Sequence, residues 1–342
     1  MRVGWTWRSF ALLRMTGKRD WRGKGGNDER GAMNDEAGGR RGRGADLWSR
    51  RYAGGAGGML DRRGGGRIIG RTVEMKRRSL REVFGDLRGR RQIGLLPFVP
   101  AGYPDLESTK AVLPALEEAG ASAIEVGIPF SDPIADGPTI QEAFATALAR
   151  KVRVEDVLGA IKEVRGGVGL PLIAMVSYSI VYRHGVDRFV EEAKAAGFDG
   201  LILPDLPPPE AESVCAKVRG VGLDTILLVA PTTAEERRRE IAGLCSGFVY
   251  YLSVSGTTGE RERLPADLEG KVRSLRKLTQ VPVCVGFGIS RPEHVAGLLG
   301  VADGAIVGSA VVKRMKEHAA EGAEGVARAA GGYCRELLAM VR

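Results

Sequence analysis

Beyond residue 48 this 342-residue sequence contains no tryptophan: Trp5, Trp7, Trp21 and Trp48 are all it has. Cysteine is equally scarce. Cys215, Cys245, Cys284 and Cys334 lie far apart and form no CxxC pair, which argues against a zinc ribbon and against a disulfide framework. They read as small buried hydrophobes of a reducing cytosol. His184, His294 and His318 are the only histidines and lack metal-ligand spacing, so no metal site is expected. No apolar run approaches the ~20 residues that a spanning helix needs, so no membrane association is expected. No GxGxxG opens a helix after the first apolar run, which weakens a dinucleotide-binding reading.

Charge is also unevenly spread. A net +9 would suit a nucleic-acid partner. Yet residues 1–74 carry 17 Lys or Arg against 8 Asp or Glu, while the other 268 carry 34 of each sign. The excess belongs to a leader, and the body is neutral; no nucleic-acid partner is expected. The leader contains GGAGG, RRGRG and DRRGGG and almost no helical or strand periodicity. Such a composition buries too little apolar surface to offset chain entropy, so 1–74 is expected to be a disordered, basic N-terminal extension. An RGG-like arm would interleave aromatics with arginines in repeats, and this one does not. A transit peptide would be Ser-rich and acid-poor, whereas serine is scarce here and eight acids are present. Met75 opens MKRRSLREVFGDL, which reads as a natural amphipathic N-terminal helix. The leader is therefore expected to be a mis-assigned start or a processed segment, with 75–342 as the catalytic domain.

From residue 93 short apolar runs alternate with longer amphipathic ones. The strand candidates are IGLLPFV (93–99), SAIEV (122–126), LIAMVS (172–177), GLILP (200–204), TILLVA (225–230), FVYYLS (248–253), VPVCVGF (281–287) and GAIVG (304–308). DLESTKAVLPALEEAG, GVDRFVEEAKAAG and RPEHVAGLLGV read as helices between them, with glycines suited to C-caps. Strands apolar on both faces, each followed by a helix, imply a parallel sheet with helical cover. Eight repeats in roughly 250 residues fit a TIM (β/α)8 barrel better than an open doubly wound sheet. Functional groups then belong at the C-terminal ends of the strands.

Those ends are informative. Strand 2 runs into EVGIPFSDPIADGPTIQ, with Glu125 inside the strand and Asp132 and Asp136 in the loop. A glutamate facing the barrel mouth is desolvated, which raises its pKa and suits it to proton transfer near neutral pH. Asp132 and Asp136, each beside prolines or glycines, read equally well as turn residues. Strand 6 leads into SVSGTTGERERLP, which has the look of a lid. Strands 7 and 8 end in GFGIS and GSAVVK. Gly288 and Gly308, with Ser309 opening a helix and Gly259 from the lid, suit a phosphate cradle of backbone N–H groups.

The stretch IEVGIPFSDPIADGPTIQEAFATAL closely resembles the signature of the tryptophan synthase alpha subunit family. LLPFVPAGYPD, GLILPDLPPPEAE, YYLSVSGTTG, CVGFGIS and GAIVGSAVVK follow in the family's order, so the resemblance covers 75–342 and none of 1–74. It implies a TIM barrel lyase that cleaves indole-3-glycerol phosphate to indole and glyceraldehyde 3-phosphate in tryptophan biosynthesis, with no cofactor in this chain. By resemblance Glu125 is the catalytic acid/base, and Asp136 accepts the indole N–H. Phe98, Tyr250, Thr258 and Ile306 match the indole pocket, and Gly259, Gly288, Gly308 and Ser309 the phosphate site. Phe130, Asp132 and Pro133 match a loop facing a PLP-dependent beta subunit, to which indole passes within a cytoplasmic alpha2beta2 complex. The sequence departs from the family after strand 3, where Ser177 and Ser179 replace the usual Tyr-x-Asn, which bears on loop geometry rather than catalysis. Another phosphate-binding barrel would need a catalytic lysine at a strand end, and none is there. A catalytically idle relative would not retain both Glu125 and Asp136.

Overall fold

The computed structural model describes residues 76–133, 136–252, 264–286 and 288–341. The leader, and every expectation placed on 1–74, lies outside these residues. All eight expected strands form: β1 (Gly94–Pro100), β2 (Ile124–Gly127), β3 (Leu172–Met175), β4 (Gly200–Ile202), β5 (Asp224–Val229), β6 (Val249–Leu252), β7 (Val283–Gly286) and β8 (Gly304–Val307). Each strand pairs in parallel with its sequence neighbours, and β8 returns to β1, closing a TIM-type barrel without edge strands.

One helix precedes β1 and the others follow the strands. They are α1 (Leu80–Gly89), α2 (Leu106–Ala119), α3 (Pro138–Ala149), α4 (Val154–Val164), α5 (Tyr178–His184) and α6 (Val186–Ala196). The series continues with α7 (Pro208–Gly220), α8 (Glu235–Leu244), α9 (Leu268–Arg276), α10 (Pro292–Ala296), α11 (Ser309–Glu317) and α12 (Gly322–Leu338). Local chemistry sets their ends. The Asp105 carboxylate accepts from the Ser108 N–H to start α2, and Gly120 at φ 96° ends it in the left-handed region. RPEHVAGLLGV is helical only as far as Ala296; Gly297 and Gly300, the latter at φ 77°, turn the chain toward β8 instead.

Strand alternation sends one set of side chains inward and the other toward the helices. Leu96, Ile173, Ile202, Ile226 and Phe248 fill the barrel together with Leu80 and Phe84 of α1. That helix plugs the N-terminal mouth. The rings of Phe84 and Phe248 meet edge to face at 6.0 Å, and Arg88 Nε donates to buried Asp303 at 2.8 Å. Arg77 reaches the Gly197 carbonyl at 2.6 Å, so residues 77–89 lie across the floor of the barrel. The C-terminal mouth, opposite, is left for chemistry.

Candidate active site

Glu125 pairs in register with Phe98 of β1 and Ile173 of β3, and alternation turns its side chain into the barrel. It is fully buried, and among the described residues neither carboxyl oxygen has a hydrogen-bond partner. Burial without compensating bonds pushes its pKa well above the usual carboxylate range. Phe98 lies beside it on β1, and buried Tyr250 of β6 and Ile306 of β8 belong to the inward-facing cluster that holds its β3 neighbour Ile173. Burial first, and then the negative charges of Glu125 and Asp136, push the Tyr250 hydroxyl far up. These three polar groups therefore share one poorly screened volume.

Two glycines that the sequence reading did not single out make room for the aromatic rings. A Cβ on Gly127, at the end of β2, would overlap the Phe98 ring; one on Gly286, at the end of β7, would overlap the Tyr250 ring. The rings lie over these strand ends because no side chain occupies the space.

Asp136 follows in the loop before α3 and is part-exposed as a residue, yet burial lifts its carboxyl to about 6. Its N–H donates to the Pro133 carbonyl at 3.1 Å, and its carbonyl accepts from Gln141 Nε2 at 2.8 Å. Gln141 also reaches the Pro133 carbonyl at 3.3 Å, so one side chain on α3 holds the loop from both ends. Sequence reasoning missed this residue; its only signal is a polar side chain in the first turn of a helix whose N-cap, Gly137, has none. Asp132 differs from Asp136 in kind: it is exposed and accepts from the Ser131 hydroxyl at 3.0 Å. Phe130 and Pro133, beside it, are part-buried.

Gly288 has φ 73°, a conformation that suits glycine. Gly308 is the N-cap residue of α11, Ser309 is its first residue, and among the described residues no side chain caps that helix. Its first N–H groups and its dipole are therefore available to an anion. A Cβ on Gly308 would sit 3.6 Å from Ile140 and 4.0 Å from the Phe98 Cβ, so this helix end adjoins the aromatic pocket. Thr258 and Gly259 lie outside the described residues.

The departure after β3 has a structural resolution. Ser177 caps α5, its hydroxyl donates to Asp205 Oδ2 at 2.7 Å, and the Tyr178 N–H donates to Asp205 Oδ1 at 2.7 Å. Ser179 lies 2.8 Å from Ser177, hydroxyl to hydroxyl. Asp205, after β4, thus braces the loop from the neighbouring strand. All four cysteines are buried and unbridged. Among the described residues no His, Cys, Asp or Glu cluster could hold a metal, and no helix is long and apolar enough to cross a membrane.

A dry carboxyl able to give and take a proton, a second carboxyl ionised near neutral pH, an aromatic slot and a helix N-terminus suit general acid–base chemistry on a phosphorylated aromatic substrate. The family model described as tryptophan synthase alpha chain matches residues 84–341. The tryptophan synthase alpha chain of Rippkaea orientalis is 46% identical over 260 residues, which span 76% of this chain and 96% of that one. Its counterpart from Rhodopirellula baltica is 44% identical over 268 residues, spanning 75% and 96%. Among solved structures, a Mycobacterium tuberculosis tryptophan synthase chain superposes with a TM-score of 0.70 at 38% identity, covering 79% of this chain and 99% of that one. A tryptophan synthase alpha-subunit of Pyrococcus furiosus, a mutant form, gives 0.67 at 40%, covering 72% and 98%. This chain belongs to the tryptophan synthase alpha chain family.

Proposed function

We propose that Glu125 shuttles the proton and Asp136 holds the indole nitrogen in the family's reaction, cleavage of indole-3-glycerol phosphate to indole and glyceraldehyde 3-phosphate. Neutral Glu125 donates its proton to indole C3, and the positive charge that develops on the ring nitrogen is stabilised by the Asp136 carboxylate. The Glu125 carboxylate then takes the proton of the glycerol hydroxyl next to the scissile bond. The C–C bond breaks, its electrons restore the indole ring, the aldehyde forms, and Glu125 ends as it began. No redox partner is needed, because proton and electron pair both stay within the site.

One observation carries the reading: a fully buried glutamate, without a hydrogen-bond partner among the described residues, faces the same mouth as a part-exposed aspartate whose carboxyl burial lifts to about 6. Two carboxyls in unlike surroundings divide acid and base roles. Phe98, Tyr250, Ile306 and Thr258 would clasp the indole, and Gly288, Gly308, Ser309 and Gly259 the phosphate. The family is consistent with a lyase that holds no cofactor of its own, and it implies a beta-subunit partner. We assign PLP to that partner, the loop Phe130–Pro133 to the surface it covers, alpha2beta2 to the assembly and the cytoplasm to its location. The match over 84–341 supports placing the activity in residues 75–342.

The test is indole release from indole-3-glycerol phosphate by the purified chain, alone and with a beta subunit. Slow release alone and strong activation by the partner are expected. Glu125→Gln is expected to lower kcat by about 10²- to 10⁴-fold; an unchanged kcat removes the proton-shuttle role.

A further inference from the structure

We propose that His294 and Tyr333 are positioning residues for the phosphate cradle, holding from behind the peptide that aims Gly288 and joining the two halves of the cradle. The inference rests on the phosphate reading given above. Ser290 lies two residues beyond Gly288, and side chains from two different helices hold its backbone at both ends. Its N–H donates to His294 Nδ1 at 3.2 Å, and its carbonyl accepts from the Tyr333 hydroxyl at 2.7 Å. His294 is buried in α10, and accepting at Nδ1 requires the neutral imidazole that carries its proton on Nε2.

Tyr333, buried on α12, does more than hold Ser290. Its ring is covered by the guanidinium of Arg314 at 5.0 Å from the centroid. Arg314 belongs to α11, the helix whose N-terminus carries Gly308 and Ser309. One side chain therefore bonds the loop after β7 and stacks on the helix after β8. An anion gripped by N–H groups from both segments needs them held at a fixed separation, because a displacement of a few tenths of an ångström weakens every such bond. Gly288, at φ 73°, has no side chain of its own to fix its direction.

Tyr333→Phe removes one oxygen and keeps the ring under Arg314. His294→Ala removes the acceptor, and His294→Asn restores an acceptor near the position of Nδ1. In the full-length chain, KM and kcat for indole-3-glycerol phosphate, the competitive Ki of inorganic phosphate and the Tm are measured for each. Tyr333→Phe and His294→Ala are expected to raise both KM and the phosphate Ki by about three- to tenfold, the worth of one buried hydrogen bond. Their kcat should stay within about twofold, and His294→Asn should recover most of the phosphate affinity. A lowered Tm with an unchanged phosphate Ki in both loss variants shows a purely structural role and overturns the proposal. If His294→Ala does not fold, Tyr333→Phe decides alone. Ser309→Asp, which sets a carboxylate beside those N–H groups at a helix start that tolerates it, separates the two levels: if it leaves the phosphate Ki unmoved, the phosphate reading fails and the positioning claim with it. If Ser309→Asp raises Ki and the two loss variants do not, the positioning claim alone is wrong.

Discussion

Glu125 and Asp136 are eleven residues apart and titrate in different surroundings. Both are raised by desolvation, Asp136 to about 6 and Glu125 well above the carboxylate range. The roles need opposite starting states. Asp136 must be ionised to accept the indole N–H, so kcat/KM should fall as pH drops through about 6. Glu125 must begin protonated, so its ionisation limits the rate on the alkaline side. The expected pH profile of kcat/KM is a bell, and Asp136→Asn should abolish its acid limb while lowering kcat/KM by about 10²-fold. An acid limb that persists in Asp136→Asn would assign it to another group. The distinction between glutamate and aspartates was legible in the sequence, because a carboxylate ending an apolar run has nowhere to point but the barrel. Local residues did not separate Asp132 from Asp136, since each sits beside prolines or glycines that suit a turn; the family resemblance did, and the folded loop exposes the first and desolvates the second.

Strand ends do as much as side chains in shaping this pocket. GFGIS reads from sequence as phosphate-binding glycines, and Gly288 has the positive φ such a turn uses. Gly286 has another task, leaving the Tyr250 ring its seat. Gly286→Ala is expected to cost about 1–3 kcal/mol through overpacking and to raise KM by displacing Tyr250. Urea unfolding and steady-state kinetics check the two effects; a variant as stable and as active as the parent would mean that the ring moves aside freely. The loop after β3 makes the same point. Ser177 and Ser179 leave its bracing open when read alone, and the brace turns out to be Asp205, 28 residues further along the chain and one strand away in space.

Across the whole molecule, the two ends of the barrel divide stability from chemistry. The floor is closed by α1, whose Phe84 packs on Phe248 and whose Arg88 is anchored by Asp303. Phe84→Ala should therefore destabilise by about 3–5 kcal/mol, read as a lowered Tm, while leaving the phosphate Ki of the folded protein unaltered; a Tm matching the parent would show that α1 is not part of the cooperative core. Residues 76–78 join the fold at this floor, the end away from Glu125. The order of eight strands, the inward glutamate and the helix starts and stops such as Asp105 and Gly120 were determined by the sequence itself, because periodicity, capping and apolar runs act over a few neighbouring residues. Tertiary structure alone decided which aspartate is desolvated, where Tyr250 and Phe98 find room, what braces the β3 loop and how Ser290 is held. Each of those depends on groups from separate strands or helices, and closing the barrel is what brings them within a hydrogen bond or a van der Waals contact of one another.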